Sequence, residues 1–209
     1  MQSKPSASVK PETFTDVLRI RFKVILEAVA AFLNRLGITP NTLTLTGVIG
    51  NLISAIFLAQ GSFLVGGLIA LVMGPLDAID GTMARQRGEP SDFGAFIDSV
   101  SDRYSELIIF GGLMLHYAMI DDHLMTCMVF AAAAGSVLVS YTRSRAESLG
   151  FNVKVGLLTR AERFIVLIPS LILNYARIGI WAVAILANFT ALQRILAVRK
   201  MSHERMKGS

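Results

Sequence analysis

Residues 77–102 read DAIDGTMARQRGEPSDFGAFIDSVSD. Asp77 and Asp80 are three apart and share one helix face; Asp98 and Asp102 are four apart and share another. Pro90-Ser91-Asp92 interrupts the pattern between the pairs, so a short turn is centred near Glu89. Asp80 lies nine residues before that centre and Asp98 nine after, while Asp77 lies twelve before and Asp102 thirteen after. An antiparallel helical hairpin therefore brings all four carboxylates to matching depth. Small residues flank them: Gly81 and Ala84 on the first helix, Gly94 and Ala95 on the second. The expectation is that these let the two helices approach closely, as small residues do in membranes.

The sequence around this hairpin is apolar. Stretches at about 42–60, 62–76, 104–120, 124–141, 162–175 and 178–193 are strongly hydrophobic, and several approach the ~20 residues that span a bilayer. The chain of 209 residues has a mean hydropathy of +0.57 and 17% charged residues, against about 25% in a soluble domain. These features predict an all-α integral membrane protein with six transmembrane helices. Before them, residues 13–36 carry Val17, Ile20, Val24, Ala28 and Phe32 at spacings of three and four, with Arg19, Lys23 and Glu27 on another face. That is the pattern of an amphipathic helix on the membrane interface, packed on the bundle, or both. The organisation expected is a cytoplasmic segment at 1–38, a transmembrane domain at 39–199 and a tail at 200–209. Thr39-Pro40 is a helix-start signal, Gly61 a break between spans, and Ser91 or Asp92 a further cap. No cleavable signal is expected in the polar start, MQSKPSASVKPE. The single Cys127, inside an apolar span, is expected to serve packing.

The net charge of +5 is decided by position. Nineteen of the twenty Lys and Arg residues precede the first span, fall between spans two and three or four and five, or follow span six; Arg177 is the exception. The remaining loops are uncharged or carry Asp121 and Asp122. The positive-inside rule then puts both termini, the basic loops and the aspartate hairpin in the cytoplasm. Lipid, not nucleic acid, is the partner of such a charge pattern, and the plasma membrane is the expected location.

Four carboxylates at one depth repel one another, and acids within a membrane are costly. Divalent cations relieve that cost. Oxygen ligands without His or Cys suit a hard ion, Mg²⁺ or Mn²⁺, and His116, His123 and His203 lie elsewhere. The bland alternative is that the acids pair with Arg85, Arg87 and Arg103.

The segment resembles the motif of the CDP-alcohol phosphotransferase family, D-x-x-D-G-x-x-A-R-x8-G-x-x-x-D-x-x-x-D. Asp77, Asp80, Gly81, Ala84, Arg85, Gly94, Asp98 and Asp102 fill every fixed position. The resemblance implies transfer of a substituted phosphate from a CDP-linked lipid to an acceptor hydroxyl, with release of CMP. It implies two metal ions on Asp77, Asp80, Asp98 and Asp102, with Asp102 also the general base. It places Asp77, Asp80, Gly81, Ala84, Arg85 and Gly94 around the CDP group, and it implies a homodimer.

A second cluster, YTRSRAE at 141–147 and RAER at 160–163, supplies Arg143, Arg145, Arg160 and Arg163. Guanidinium groups bind phosphate in a forked geometry, so these arginines point to an acceptor that carries phosphate. Anchoring to lipid headgroups is the simpler alternative. Within the family, SYTRSRAE resembles the branch that uses CDP-diacylglycerol and inositol phosphate to make phosphatidylinositol phosphate, although Arg143 stands where Lys is common. Arg194 resembles a further acceptor-site arginine. A phosphatidylglycerophosphate synthase, or an enzyme using an archaeal-type lipid, would share the mechanism. A cation or proton transporter using the same acids is the alternative of a different class, and a membrane prenyltransferase is a third.

Overall fold

The computed structural model describes residues 14–88, 91–153 and 155–207, with side chains from residue 23 onward. The described residues form eight helices: α1 Phe14–Arg35, α2 Pro40–Ala59, α3 Phe63–Met73, α4 Leu76–Arg87, α5 Asp92–Met119, α6 His123–Ser148, α7 Arg160–Ile172 and α8 Ala176–Lys207. Four segments are long and apolar enough to cross a membrane: Pro40–Ala59, Phe63–Arg87, His123–Ser148 and Ala176–Lys207. The two other expected spans differ for physical reasons. α5 has 28 residues, but its first fifteen carry Asp92, Asp98, Asp102, Arg103 and Glu106. α7 has 13 residues and contains Pro169.

The starts and stops follow local chemistry. Thr39 Oγ1 accepts the Thr42 N–H at 3.2 Å, with Pro40 in the first turn where its missing N–H costs nothing. Gly61 closes the α2–α3 turn at φ +79°. Ser91 Oγ caps α5 by accepting the Gly94 N–H at 3.0 Å. The hairpin's first helix ends on Gly88 in the left-handed region; Glu89 and Pro90 lie outside the described residues. The apolar stretch leading into Asp77 is interrupted at Gly74-Pro75, dividing it into α3 and α4, because proline supplies no amide for the helix ladder.

The core is aliphatic, with Leu58, Ile109, Leu113, Val129, Ile168, Leu171, Ile180 and Val183 buried. Outward faces are equally apolar: Leu52, Ile56, Leu68, Phe130, Leu138, Ile185 and Leu192 are exposed. A protein apolar inside and outside has lipid as its solvent, so this is a multi-pass membrane protein. Cys127 lies on the outward face, not in the packing expected of it.

The close helix approach is not where Gly81 and Gly94 led us to expect it. Among the described residues, a Cβ on Gly81 would meet only Arg85 Nη1, at 3.5 Å, and one on Gly94 only Ser91 Oγ, at 3.0 Å. No α5 atom presses on Gly81 and no α4 atom on Gly94. The intimate contact is α2 on α5, where a Cβ on Gly112 would stand 2.8 Å from Ala55 Cα. That crossing, rather than a close approach at Gly81 and Gly94, holds the hairpin.

α1 packs on α4. Ala30 is buried with Leu43, Ile79 and Met83, and Leu26, Leu33 and Ile38 pack against them. Arg87 reaches across, donating from Nε to Asn34 Oδ1 at 2.7 Å and from Nη2 to the Ile38 carbonyl at 2.6 Å. The packed face is thus 26/30/33, whereas Val24, Ala28 and Phe32 of the expected stripe are exposed. Val17 and Ile20 lie outside the described side chains.

The two ends of the bundle differ. At one, the turns after α2, α5 and α7 meet: His116 stacks edge-on to Phe63, and Arg177, the exceptional cation, pairs with Asp122 at 2.5 Å. The aspartates and the clustered arginines occupy the other.

Candidate metal and phosphate site

α4 and α5 deliver the carboxylates. Oxygens of Asp77, Asp98 and Asp102 lie within 4.8 Å of one another, each side chain half-buried. The helical register read from the sequence accounts for this, since Asp98 and Asp102 stack one turn apart on α5 and face the first turn of α4. Asp80 turns aside from this trio. It is buried, and its Oδ2 accepts the Thr44 hydroxyl at 2.5 Å, so α2 holds the back of α4.

The acids pair neither with Arg85 nor with Arg87. Arg85 Nη2 donates to Thr82 Oγ1 at 2.9 Å, and Arg87 binds α1. Arg103 stands 3.5 Å from Asp102, a weak contact, and donates to the Ser99 carbonyl. The principal cation is Arg160, whose Nη2 lies 2.5 Å from Asp77 Oδ2 and Nη1 2.6 Å from Asp102 Oδ1. One guanidinium thus bridges the two helices of the hairpin.

Arg160 is placed by α7. Thr159 begins the helix, and Glu162 accepts the Thr159 N–H in a capping box. Phe164 fits against Gly74, where a Cβ would stand 2.8 Å from the ring, and this seats the first turn of α7 beside the start of α4.

The other arginines separate. Arg163 is 2% exposed and forms a two-pronged pair with Glu106, Nε to Oε1 at 2.7 Å and Nη2 to Oε2 at 2.9 Å. Its remaining nitrogen donates to the Leu158 carbonyl at 3.4 Å. The structure therefore commits Arg163 to Glu106 and does not bring it to the carboxylate trio. Arg194 is 3% exposed and donates from Nε to the Val155 carbonyl at 3.0 Å and from Nη1 to the Val139 carbonyl at 2.5 Å. No hydrogen bond or ion pair found for it among the described residues involves a carboxylate, so it brings net positive charge to this end of the bundle. Arg143 is exposed and pairs with Glu147 at 2.9 Å; Arg145, also exposed, reaches Ser148. Gly81 and Ala84 are half-buried on the α4 side, Arg85 is exposed, and Gly94 lies in the first turn of α5.

Two residues of this site escape the motif. Thr44 has no sequence signal, because a threonine near a helix start is ordinary. Glu106 has one: it is an acid inside the third apolar stretch, four residues after Asp102 and hence on the same face.

The trio suits a hard divalent cation. All its donors are carboxylate oxygens, and Asp98 Oδ1 is buried with no hydrogen-bond partner among the described residues. A buried carboxylate oxygen left in that condition is a ligand position or a standing cost.

Comparison with known proteins agrees with this chemistry. The profile of the CDP-alcohol phosphatidyltransferase family matches residues 37–193. The chain is 39% identical to a phosphatidylinositol phosphate synthase of Streptomyces avermitilis, covering 89% of this chain and 82% of that one. It is 36% identical to an archaetidylinositol phosphate synthase of Pyrococcus horikoshii, covering 88% of this chain and 95% of that one. A crystal structure of the Mycobacterium tuberculosis phosphatidylinositol phosphate synthase with CDP-DAG bound superposes with a TM-score of 0.78 at 28% identity, over 83% of this chain and 93% of that one. A second structure of that enzyme, in complex with manganese and citrate, gives a TM-score of 0.77 at 27% identity, over 83% and 88% of the two chains. With the family profile matching residues 37–193 and all eight motif residues present, the chain is an enzyme that belongs to the CDP-alcohol phosphatidyltransferase family.

Proposed function

We propose that the enzyme transfers the phosphatidyl group of CDP-diacylglycerol to inositol phosphate, releasing CMP and forming phosphatidylinositol phosphate. The observation that carries the reading is the Asp77–Asp98–Asp102 trio with Arg160 set directly against it. The names of the relatives and the CDP-DAG complex of the structural neighbour support the substrates.

Asp77, Asp80, Asp98 and Asp102 would hold Mg²⁺ or Mn²⁺, two ions on this reading. The manganese complex of the neighbour supports the choice. Metal bound there offsets the charge of the pyrophosphate and of the departing CMP. The chain's own groups do the rest. Gly81, Ala84, Arg85 and Gly94 hold the CDP group beside the carboxylates. Asp102 takes the proton of the attacking hydroxyl. That oxygen bonds to the phosphorus bearing the diacylglycerol as the bond from that phosphorus to the CMP oxygen breaks. Arg143, Arg145, Arg160 and Arg194 receive the acceptor's phosphate; Arg163 acts from behind through Glu106.

The same reading has six helices crossing the membrane, α5 and α7 included, in a transmembrane domain at 39–199. α1 lies on the interface with Val24, Ile25 and Phe32 towards lipid. Both termini and the site face the cytoplasm of the plasma membrane, and the enzyme is a homodimer. The archaetidylinositol relative makes an archaeal-type lipid donor the second reading.

Purified enzyme should release CMP from CDP-diacylglycerol with inositol phosphate and Mg²⁺ or Mn²⁺, and not with glycerol 3-phosphate or free inositol. Turnover with glycerol 3-phosphate alone would move it to the phosphatidylglycerophosphate branch. Turnover only with an ether-linked isoprenoid donor would change the tail.

A further inference from the structure

Below the carboxylate trio lies a second layer of charge. Glu106 is four residues after Asp102 on α5, and Arg163 is three after Arg160 on α7. Arg160–Asp102 and Arg163–Glu106 are therefore successive rungs between the same two helices. α7 packs its apolar side on α3 and α8. Towards α5 it faces a small cavity lined by Glu106, Ile109, Phe110, Arg163, Phe164 and Leu167. The bridge across that gap is made by long charged side chains.

Three physical points bear on what the rungs do. A buried ion pair seldom adds net stability over an apolar pair of like volume, so the lower rung is better explained by geometry than by stability. Its two-pronged contact fixes guanidinium and carboxylate in one plane, which sets the register of α7 against α5. Arg160, in contrast, stands in the first turn of α7, where the helix dipole disfavours a cation. It is held by Asp77 and Asp102, two of the carboxylates that would bind a divalent ion.

We propose that Glu106 and Arg163 are positioning residues that deliver Arg160 to Asp77 and Asp102 as a built-in counter-ion, in competition with a divalent cation for those carboxylates. The inference rests on the reading of the aspartates as cation ligands. It gives Arg160 two alternating partners, the aspartates and the acceptor's phosphate. Cation binding then releases the guanidinium that captures the acceptor. Charge loss at Arg160 must tighten cation binding, whereas mere structural damage would loosen it.

The test is Mn²⁺ binding to the purified full chain in detergent without substrate, followed by the electron paramagnetic resonance of free Mn²⁺. Arg160→Gln should bind at least roughly tenfold tighter than wild type, a floor that removing one positive charge adjacent to a divalent ion meets even at the dielectric of water. Glu106→Gln and Arg163→Lys, each melting within a few degrees of wild type, should tighten binding by roughly two- to threefold through the same linkage. Unchanged or weaker binding by Arg160→Gln overturns the competition. Tightening by Arg160→Gln with no change in either pair variant overturns the positioning role. Absence of saturable binding to the wild type overturns the carboxylate reading together with this one.

Discussion

Replacing Gly112 with alanine tests whether the α2–α5 crossing holds the hairpin in place. The added Cβ would stand 2.8 Å from Ala55 Cα and closer still to the Ala55 carbonyl oxygen. Carbon atoms in contact sit about 3.5–4.0 Å apart, so the two backbones must separate by roughly 1 Å. Overpacking of this kind costs about 1–3 kcal/mol, and backbone on both sides puts this site towards the upper part of that range. For a chain of this size that corresponds to a drop of roughly 3–9 °C in melting temperature. The neighbouring Gly111 is the internal control, because a Cβ there has nothing within 4 Å. Gly111→Ala should be neutral or stabilising, since alanine is favoured over glycine in a helix by up to about 1 kcal/mol. The assay is thermal unfolding of both variants in one detergent. CMP release should fall in Gly112→Ala alone, because α2 carries Thr44 and α5 carries Asp98 and Asp102. Equal melting temperatures for the two variants would refute the reasoning.

Other expectations follow from single contacts. Arg87→Ala removes the bonds to Asn34 Oδ1 and the Ile38 carbonyl and leaves Gln86 Oε1 accepting from Asn34 Nδ2 at 3.1 Å; it should cost about 1–3 kcal/mol and speed hydrogen exchange at residues 27–38, with the core of α8 unchanged. Thr44→Val deletes the hydrogen bond to Asp80 and should lower turnover by roughly tenfold, the equivalent of about 1.4 kcal/mol, with little change in the acceptor KM. Arg194→Ala removes a buried cation held by two carbonyls; titration of inositol phosphate should show the acceptor KM rising by roughly tenfold or more, with the CDP-lipid KM changed far less.

The spacing of Asp77, Asp80, Asp98 and Asp102 made the site legible before any coordinate, because helical register fixes which residues share a face. The caps at Thr39 and Ser91 were legible for the same local reason. The break at Gly74-Pro75 had a visible signal in Pro75, but the continuous apolar run hid its effect. Glu106 was visible as an acid in an apolar stretch, yet its partner was not: one cluster supplied four arginines, and nothing local tells Arg160, which reaches the aspartates, from Arg163, which goes to Glu106. That choice is made by the seat of α7 on α3, through Phe164 and Gly74. The face of α1 misled for a related reason. Its periodicity marked an apolar stripe, and the structure leaves Val24 and Phe32 outward while Leu26, Ala30 and Leu33 pack, since α1 carries more apolar positions than one packed face uses and the sequence does not rank them.

The central claim is that the α4–α5 carboxylates are the metal site of a lipid phosphotransferase. Its most direct test is CMP release from CDP-diacylglycerol and inositol phosphate by metal-stripped wild type and Asp98→Asn, each titrated with Mn²⁺. Asp98 is the decisive position because its Oδ1 is buried without a hydrogen-bond partner among the described residues. Release should rise with Mn²⁺ in the wild type and be absent from the variant at any Mn²⁺ concentration. Release by Asp98→Asn at the wild-type rate and metal dependence would contradict it.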